Sequence, residues 1–234
     1  MAGIIDVINM NKIYQMGNEQ VIALSNITLS VEKGDFCCLL GPSGSGKSTL
    51  LNLIAGLEKP TAGEIIVNGK HLEKMNEKQL AAFRQKNIGF VFQSYNLFPT
   101  LTAVENVEMP LVFRGTPKSI RRKEAVSMLK AVGLGDRLYH KPSQMSGGQQ
   151  QRVGIARAFI GVPPIVYADE PTGNLDTKTS VEIMDLITTI AKKNEQTLIL
   201  VTHEKSISDY VNKIINIRDG QIEAIETREK IIIN

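Results

Sequence analysis

The sequence predicts an α/β fold with a parallel sheet, an antiparallel β-rich part at the N-terminal end and a helical segment inserted in the middle. Three observations support this prediction. Short β-branched runs bounded by turn residues fill the first 70 or so residues, a helical period marks residues 117–134, and strand and helix patterns alternate from about residue 164 onward. Strands that alternate with helices are typical of βαβ units, whose strands form a parallel sheet.

The first part of the chain predicts strands around one buried strand and its following helix. The runs IIDVINM, IALSNITLSV and EIIVNGK are short and β-branched, and Asn68-Gly69 predicts a hairpin turn. The apolar run Phe36–Leu40 predicts a buried strand. A helix is predicted to begin near Lys47 and to end between residues 56 and 60.

The middle and final parts differ in their patterns. The last part alternates between the strand PIVYADE, the helix TKTSVEIMDLITTIAKKN, the strand TLILVTH and the short helix SISDYVNK. The run IINIRDGQIEAI then predicts a hairpin with Asp219-Gly220 at its turn. We interpret residues 94–143 as a helical lobe inserted between two strands of the parallel sheet, because apolar residues recur there at helical spacing: Ile120, Ala125, Met128, Leu129 and Val132.

The composition is that of an ordinary globular chain. Its 234 residues are 42% hydrophobic and 22% charged, which suits one large domain or two closely joined lobes. The net charge of +3 is small and the basic residues are spread along the chain, so we expect no nucleic-acid partner. The apolar runs are far shorter than the roughly 20 residues that span a bilayer, and no signal peptide is recognisable. We therefore expect a cytoplasmic protein.

The two cysteines, Cys37 and Cys38, are adjacent within the predicted buried strand. Neighbours in a strand point to opposite faces and do not easily form a disulfide with each other. A metal site would need further cysteines or a nearby histidine, which the flanking sequence does not supply. We expect both thiols to be reduced and buried.

A phosphate-binding loop is the strongest motif in the sequence. The stretch GPSGSGKST matches G-x-x-x-x-G-K-[ST], and it lies between the predicted buried strand and an apolar helix. Glycines let the backbone N–H groups surround a phosphate, and the helix N-terminus adds a positive dipole end. Lys47 can reach the β- and γ-phosphates and Ser48 can bind Mg²⁺. The predicted binding residues are Gly41, Pro42, Ser43, Gly44, Ser45, Gly46, Lys47, Ser48 and Thr49.

An acid pair follows a second buried strand. In PPIVYADE the apolar run ends at Ala168, and Asp169 and Glu170 come next. Ligands of open α/β sheets bind at the carboxyl ends of the strands, so Asp169 is predicted to face the metal. Glu170 can orient and polarise an attacking water. The alternative is that Glu170 is only an acid at the start of a helix.

A second helix start resembling an anion site occurs at MSGGQQQRVGIARA. Ser146 is a predicted N-cap, Gly147 and Gly148 follow it, and the helix is predicted to end at Gly161 before Pro163. Taken alone, this pattern favours a plain glycine turn that leads into a core helix. Its place about 20 residues before the acid pair favours a functional role.

These motifs together, in this order, resemble those of the ABC-type ATPases over essentially the whole chain. MSGGQ is similar to the LSGGQ signature, with Met145 where leucine is usual, and the phosphate loop and acid pair match Walker A, Walker B and the catalytic glutamate. A swap of leucine for methionine is usually tolerated in a packed position. The remaining matches are the adenine-stacking aromatic, the Q-loop, the signature, the D-loop and the switch histidine: Tyr14, Gln93, Ser146, Gly147, Gly148, Gln149, Asp176 and His203.

The resemblance implies a mechanism that needs two copies of the chain. ATP would lie between Lys47 of one copy and the signature of its partner, so the active species would be a homodimer that forms upon ATP binding. The resemblance gives Glu170, His203 and Lys47 catalytic roles, and it gives Mg²⁺ the ligands Ser48, Gln93 and Asp169. A strand-end tyrosine such as Tyr14 can also serve packing alone.

The resemblance also implies a subunit that works with an integral-membrane permease and sits on the inner face of the cell membrane. The runs FQSYNLFPTLTAVENVEMPL and ADEPTGNLD are similar to the group that serves macrolide export, lipoprotein release, antimicrobial-peptide resistance and cell division. Residues 94–107, with Phe98 and Glu105, are the expected permease contact. An importer of polar amino acids or other small solutes, and a nucleotide-gated signalling module, remain alternatives. A small-molecule P-loop kinase would leave MSGGQ and His203 unexplained.

The resemblance further implies a P-loop NTPase core of the ABC ATPase fold in a single domain, residues 1–234. Residues 1–93 and 144–234 are predicted to form the RecA-like core with an antiparallel β-subdomain. Residues 94–143 are predicted to form the helical subdomain.

Overall fold

The computed structural model describes residues 3–228, apart from the side chains of residues 205 and 206. The two ends of the predicted domain, residues 1–2 and 229–234, lie outside the described residues. The strands are β1 (Ile5–Met16), β2 (Glu19–Val31), β3 (Phe36–Leu40), β4 (Ala62–Val67), β5 (Lys70–His71), β6 (Ile88–Phe92), β7 (Ile165–Asp169), β8 (Thr197–Thr202), β9 (Lys213–Arg218) and β10 (Gln221–Thr227). The helices are α1 (Lys47–Ile54), α2 (Glu77–Asn87), α3 (Ala103–Phe113), α4 (Lys118–Ala131), α5 (Gly147–Phe159) and α6 (Thr177–Lys193).

The chain divides into two compact units. The first unit comprises residues 1–84 and 197–234, and the second comprises residues 85–196. In the described residues, no helix combines the length and the apolar character that crossing a membrane requires. The predicted subdivision at residues 94 and 143 remains a prediction.

The first unit contains an antiparallel sheet with the strand order β2-β1-β4-β5. The predicted turn between β4 and β5 is present, and Asn68 (φ 47°) and Gly69 (φ 70°) both adopt the left-handed conformation of a tight hairpin turn. β1 and β2 extend further than the predicted strands, to Met16 and from Glu19. The residues of these extensions are half-buried or exposed, so they lack the apolar alternation that predicts a strand.

The first unit also contains strands in the order β10-β9-β3-β8, in which β3 pairs in parallel with both β8 and β9. β9 and β10 form the predicted hairpin, with Asp219 (φ 47°) and Gly220 (φ 74°) at its turn. Cys37 and Cys38 are buried, unbonded thiols of β3, as predicted. Burial raises the pKa of both thiols, that of Cys38 to about 12, so they remain protonated.

The second unit combines the parallel pair β6 and β7 with the helices α3, α4, α5 and α6. α4 confirms the helical period of residues 117–134, and its Ala125 and Leu129 are buried, whereas Ile120 is 50% exposed. α3 begins with a capping box in which Thr102 and Glu105 bind each other's backbone N–H groups. The core of this unit includes Ala103, Val104, Val107, Leu111, Ala125, Leu129, Val132, Leu134, Met145, Val153, Ala156 and Ile160.

The short helix predicted in SISDYVNK is a 3-10 helix, Lys205–Tyr210, which is shorter than the run. Val211 is already extended (φ −129°) and β9 begins at Lys213. Six residues are too few to establish the hydrogen bonding of a stable α-helix.

The predicted class, an α/β fold with parallel strands and an antiparallel N-terminal sheet, is confirmed.

Candidate nucleotide site

The phosphate-binding loop joins β3 to α1 in the first unit. Gly46 precedes α1 in a left-handed conformation (φ 102°) and has no side chain to cap the helix. The first N–H groups of an α-helix have no partner within the helix, so they suit an anion. A pocket of 430 Å³ lies against this helix start and is lined by residues that include Ala23, Gly44, Lys47, Ser48, Thr49 and Asp219.

The loop is held by the β9–β10 hairpin. The backbone N–H of Gly220 donates to the carbonyl of Ser45 (3.1 Å). At Gly41 the backbones of the loop and of β9 approach so closely that a Cβ added at position 41 would lie 2.1 Å from the carbonyl oxygen of Ile217. A residue with a side chain at position 41 would therefore displace either the loop or the strand. The hairpin thus fixes the position of the phosphate-binding loop.

The ammonium group of Lys47 lies within the phosphate-binding loop, against the backbone at its beginning. Lys47 is 6% exposed, and its Nζ donates to the carbonyls of Gly41 (2.8 Å) and Pro42 (2.7 Å). The positive charge is therefore already placed where the loop backbone would surround a phosphate, as the motif predicts.

His203 follows β8 and is exposed. It lines a pocket of 280 Å³ together with Gly41, Pro42, Asn216 and Glu223. The structure thus brings the predicted switch histidine and the beginning of the phosphate-binding loop to the same pocket. The role of His203 as the switch histidine remains a prediction.

Tyr14 lies in a polar cluster of the first unit. Its hydroxyl donates to Glu58 Oε2 (2.6 Å), and Lys12 Nζ lies 4.7 Å from the centre of its ring. Burial raises the pKa of Tyr14, and the hydrogen bond to Glu58 raises it further. The hydroxyl thus orients the ring. Stacking of this ring on adenine remains a prediction.

The second unit brings Gln93 and the acid pair together. β6 and β7 pair with Phe92 opposite Asp169, so Gln93 and Glu170 both leave the carboxyl ends of neighbouring parallel strands. The carbonyl of Gln93 accepts a hydrogen bond from Asn174 Nδ2 (3.0 Å). Glu170 has a left-handed backbone (φ 43°), which is unusual for a residue with a side chain and recurs at functional sites.

The signature begins α5 as predicted. Ser146 is the N-cap, and it forms a capping box with Gln149, whose backbone N–H donates to Ser146 Oγ (3.4 Å) and whose Oε1 accepts from the Ser146 N–H (3.0 Å). Ser146 is exposed and Gly147 and Gly148 are half-buried, so the start of the helix is accessible within this unit. Met145 is 8% exposed and packs in the core of the unit, where a leucine would also fit.

Asp176 caps the next helix, α6. Its carboxylate accepts hydrogen bonds from the backbone N–H (3.0 Å) and the hydroxyl (2.6 Å) of Thr179. The hydroxyl bond is the main cause that lowers the pKa of Asp176. The D-loop aspartate is therefore ionised and oriented at neutral pH.

The buried polar residues Gln151 and Asn106 of the second unit were not predicted from the sequence. Gln151 is fully buried and donates from Nε2 to the carbonyl of Pro171 (2.6 Å), directly after Glu170. Asn106 is also fully buried. Its Oδ1 accepts from the backbone N–H of Phe98 and its Nδ2 donates to the carbonyl of Phe98. Neither residue has a local sequence signal, because its partner lies in another segment.

Comparisons with known proteins agree with this geometry. The sequence profile of the family described as "ABC transporter" matches residues 24–173. An ABC transporter ATP-binding protein of Thermotoga maritima is 47% identical over 97% of this chain and 97% of its own length. The macrolide export ATP-binding/permease protein MacB of Brucella melitensis is 46% identical over 94% of this chain, which covers 34% of that longer protein.

A solved structure is similar over nearly the whole chain. It is the dimeric, post-hydrolysis structure of the ATP-binding cassette MJ0796 bound to ADP and Pi, with a TM-score of 0.89 and 42% identity over 97% of this chain and all of that one. MJ0796 is a protein of Methanocaldococcus jannaschii. This chain belongs to the ABC transporter family. Within that family it is an ATP-binding cassette, an ATPase, which confirms the family, fold and enzyme class expected from the motifs.

Proposed function

We propose that two copies of this chain bind two ATP molecules between them and hydrolyse them to drive a membrane permease. The observation that carries this proposal is that one chain holds two distinct helix starts suited to anions. α1 follows the phosphate-binding loop, and α5 begins with the exposed, capped Ser146. The dimeric structures of the similar cassette MJ0796 support an assembly in which each helix start serves one side of a nucleotide.

In the proposed site, this chain's residues divide the work of hydrolysis. Lys47 and the loop N–H groups bind the phosphates, and the signature of the partner copy closes the site over the γ-phosphate. Glu170 accepts a proton from the attacking water, while His203 donates a hydrogen bond as charge develops on the phosphate. Tyr14 stacks on adenine, and Asp176 acts at the dimer contact.

Mg²⁺ fits the donor set of this proposal. The hydroxyl of Ser48, the carboxylate of Asp169 and the amide oxygen of Gln93 are hard oxygen ligands, which Mg²⁺ prefers. When bound, the ion would neutralise phosphate charge as the transition state forms. Ser48 is exposed at the first turn of α1, and Gln93 and Asp169 lie at the carboxyl ends of β6 and β7.

The proposed partner is a separate integral-membrane permease of the macrolide or antimicrobial-peptide export or lipoprotein-release type. Support comes from MacB, whose name joins an ATP-binding and a permease function and whose sequence includes a stretch similar to this chain. The chain would then sit on the cytoplasmic face of the membrane through that partner. The segment of residues 94–107 is the proposed contact, and Phe98 within it is 46% exposed.

The variant Glu170→Gln tests the proposed dimer. It keeps the size of the side chain and removes the carboxylate that would accept the proton, so ATP should stay bound and bridge two copies. We expect a dimer by size-exclusion chromatography with light scattering in Mg-ATP, a monomer in Mg-ADP, and ATPase activity at least about 100-fold below the wild type.

Glu77→Gln is the matched control, because Glu77 is exposed at the start of α2. It should hydrolyse ATP like the wild type. A Glu170→Gln variant that remains monomeric in saturating Mg-ATP would contradict the sandwich.

A further inference from the structure

We propose that Gln151 is a positioning residue for hydrolysis, which ties the backbone beside Glu170 to the signature helix α5. Gln151 lies in the second turn of α5, is fully buried, and donates from Nε2 to the carbonyl of Pro171 at 2.6 Å. A carbonyl oxygen only accepts hydrogen bonds, so the group of Gln151 that meets it must be the amide NH2. Pro171 is the next residue after Glu170 in the chain.

The backbone that Gln151 holds is strained. Glu170 has a left-handed backbone (φ 43°), which a residue with a side chain keeps only when its surroundings fix it. A turn closes behind it, with the N–H of Gly173 donating to the carbonyl of Glu170 (3.1 Å). The bond from Gln151 reaches the middle of this turn. Gln151 therefore restrains the segment that aims the carboxylate of Glu170.

α5 restrains the neighbouring segment, after β6, in the same way. Arg157 donates from Nη2 to the carbonyl of Tyr95 (2.8 Å) and from Nη1 to that of Asn96 (2.5 Å). Tyr95 (φ 61°) and Asn96 (φ 47°) are also left-handed. The segments that carry Gln93 and Glu170 are thus both attached to the one helix that begins at the signature.

The amide at position 151 satisfies the carbonyl of Pro171 but is itself only half satisfied. Its Oε1 is buried and receives no hydrogen bond from any of the described residues. A buried polar atom without a partner is unfavourable, and an apolar side chain of the same length would remove it. Residues that break a packing rule in this way are expected at functional sites.

The inference rests on the proposed function, in which the partner's nucleotide meets the start of α5. Ser146 and Gln149 fix the first turn of that helix through their capping box. Gln151 lies two residues after Gln149 in the same helix. A displacement of the helix start by nucleotide is thereby passed to the carbonyl of Pro171 and to Glu170 of the same chain. In this way each copy's hydrolytic residue responds to the nucleotide of its partner.

The test compares Gln151→Met with a matched control, Gln196→Met. Gln196 is also a buried glutamine (1% exposed) that donates from Nε2 to a proline carbonyl, that of Pro163 (2.7 Å). Pro163 lies before β7, whereas Pro171 lies after it. Its Oε1 has a partner, Asn194 Nδ2 (3.3 Å). The two substitutions therefore remove the same kind of bond at opposite ends of one strand.

We expect Gln151→Met to lower kcat for ATP about 10- to 100-fold, because a misplacement of about 1 Å in a catalytic group costs that much, while KM stays within about 2-fold. Its Tm should fall less than that of Gln196→Met, because the substitution removes the donor to Pro171 but also the unpartnered Oε1. It should persist as a dimer in Mg-ATP without a change at Glu170. Gln196→Met should instead lower Tm and leave kcat unchanged.

A Gln151→Met variant with wild-type kcat would overturn the inference, and so would one whose Tm falls as far as that of Gln196→Met. Failure of the proposed function is distinguishable from these outcomes. It would appear in the wild type as the absence of Mg-ATP hydrolysis, or in Glu170→Gln as a monomer in Mg-ATP.

Discussion

The close approach of Gly41 to β9 predicts a large effect of a single methyl group. In Gly41→Ala the added Cβ would lie 2.1 Å from the carbonyl oxygen of Ile217, whereas such contacts are essentially never under 3.0 Å. The two backbones would therefore have to separate by 0.9 Å, the difference between those distances. Neither partner is a flexible side-chain end, so the cost should reach the upper part of the range for overpacking, about 3 kcal/mol.

That cost has a measurable size and a matched control. For a chain of this length, about 3 kcal/mol corresponds to a fall in Tm of about 6–12 °C. Gly44→Ala alters the same loop, but a Cβ there would meet nothing within 4 Å. Its φ of +79° makes alanine unfavourable by only about 1 kcal/mol, a fall of about 2–4 °C.

Thermal unfolding, followed by circular dichroism, and binding of a fluorescent ATP analogue would measure both variants. Gly41→Ala should also lose most of its nucleotide affinity, because the loop N–H groups move together with residue 41. Equal Tm losses in the two variants, or unchanged nucleotide binding in Gly41→Ala, would refute the reasoning that β9 positions the loop.

Two further predictions concern exposed and half-buried aromatic residues. Burial raises the pKa of Glu58, but hydrogen bonds from Tyr14, Lys12 and Asn52 outweigh burial and lower the pKa from its usual value of 4.5. A carboxylate whose pKa is lowered by folding stabilises the fold above its unfolded pKa and loses this contribution as the pH falls. Tyr14→Phe should therefore lower stability by about 1 kcal/mol at pH 7, with a difference in Tm that shrinks below pH 4.5, and a constant difference would contradict this account. Phe98→Ala should reduce co-purification of the permease while basal ATPase activity is unchanged, because Asn106 still holds the backbone at position 98. Tyr139 is another exposed aromatic residue, and an equal loss of co-purification in Tyr139→Ala would argue against a specific contact at Phe98.

The sequence was most informative where function requires a local pattern. The phosphate-binding loop, the N-cap at Ser146 and the turns at Asn68-Gly69 and Asp219-Gly220 all depend on residues within a few positions of each other. Such features follow from backbone geometry alone, so they were predicted correctly. The strand that ends at Asp169 belongs to the same class, because a buried parallel strand is a continuous apolar run.

Features that depend on tertiary contacts were not predictable in this way. The run Gln149, Gln150 and Gln151 gives no indication that its members differ, yet one caps the helix start, one donates to the carbonyl of Met145, and one is fully buried against Pro171. α2 was missed because only Leu80 and Phe83 of it are buried, which leaves a weak apolar period.

The expected contact residue Glu105 shows the same limit. Its carboxylate accepts hydrogen bonds from the N–H (2.8 Å) and hydroxyl (2.6 Å) of Thr102, so it caps α3 in the structure. A substitution there would weaken the helix start as well as any permease contact. Phe98 is the better probe of that contact.

The central claim, that each site combines the phosphate-binding loop of one copy with the signature of another, is tested by mixing two inactive variants. Lys47→Met removes the ammonium and keeps the buried stem. Ser146→Asp keeps a good N-cap for α5 but places a negative charge where the partner's phosphate would bind. Ser146→Asn is the neutral control, which keeps the cap without adding charge and should lose less activity than Ser146→Asp.

ATPase activity of the 1:1 mixture is the decisive measurement. Half of the dimers in a random mixture contain both variants, and each of these has one intact site out of two, so activity should recover to at most about a quarter of the wild type. Each variant alone should be inactive. A mixture that forms mixed dimers but stays as inactive as its components would contradict the account, because a site completed within one chain gains nothing from a partner.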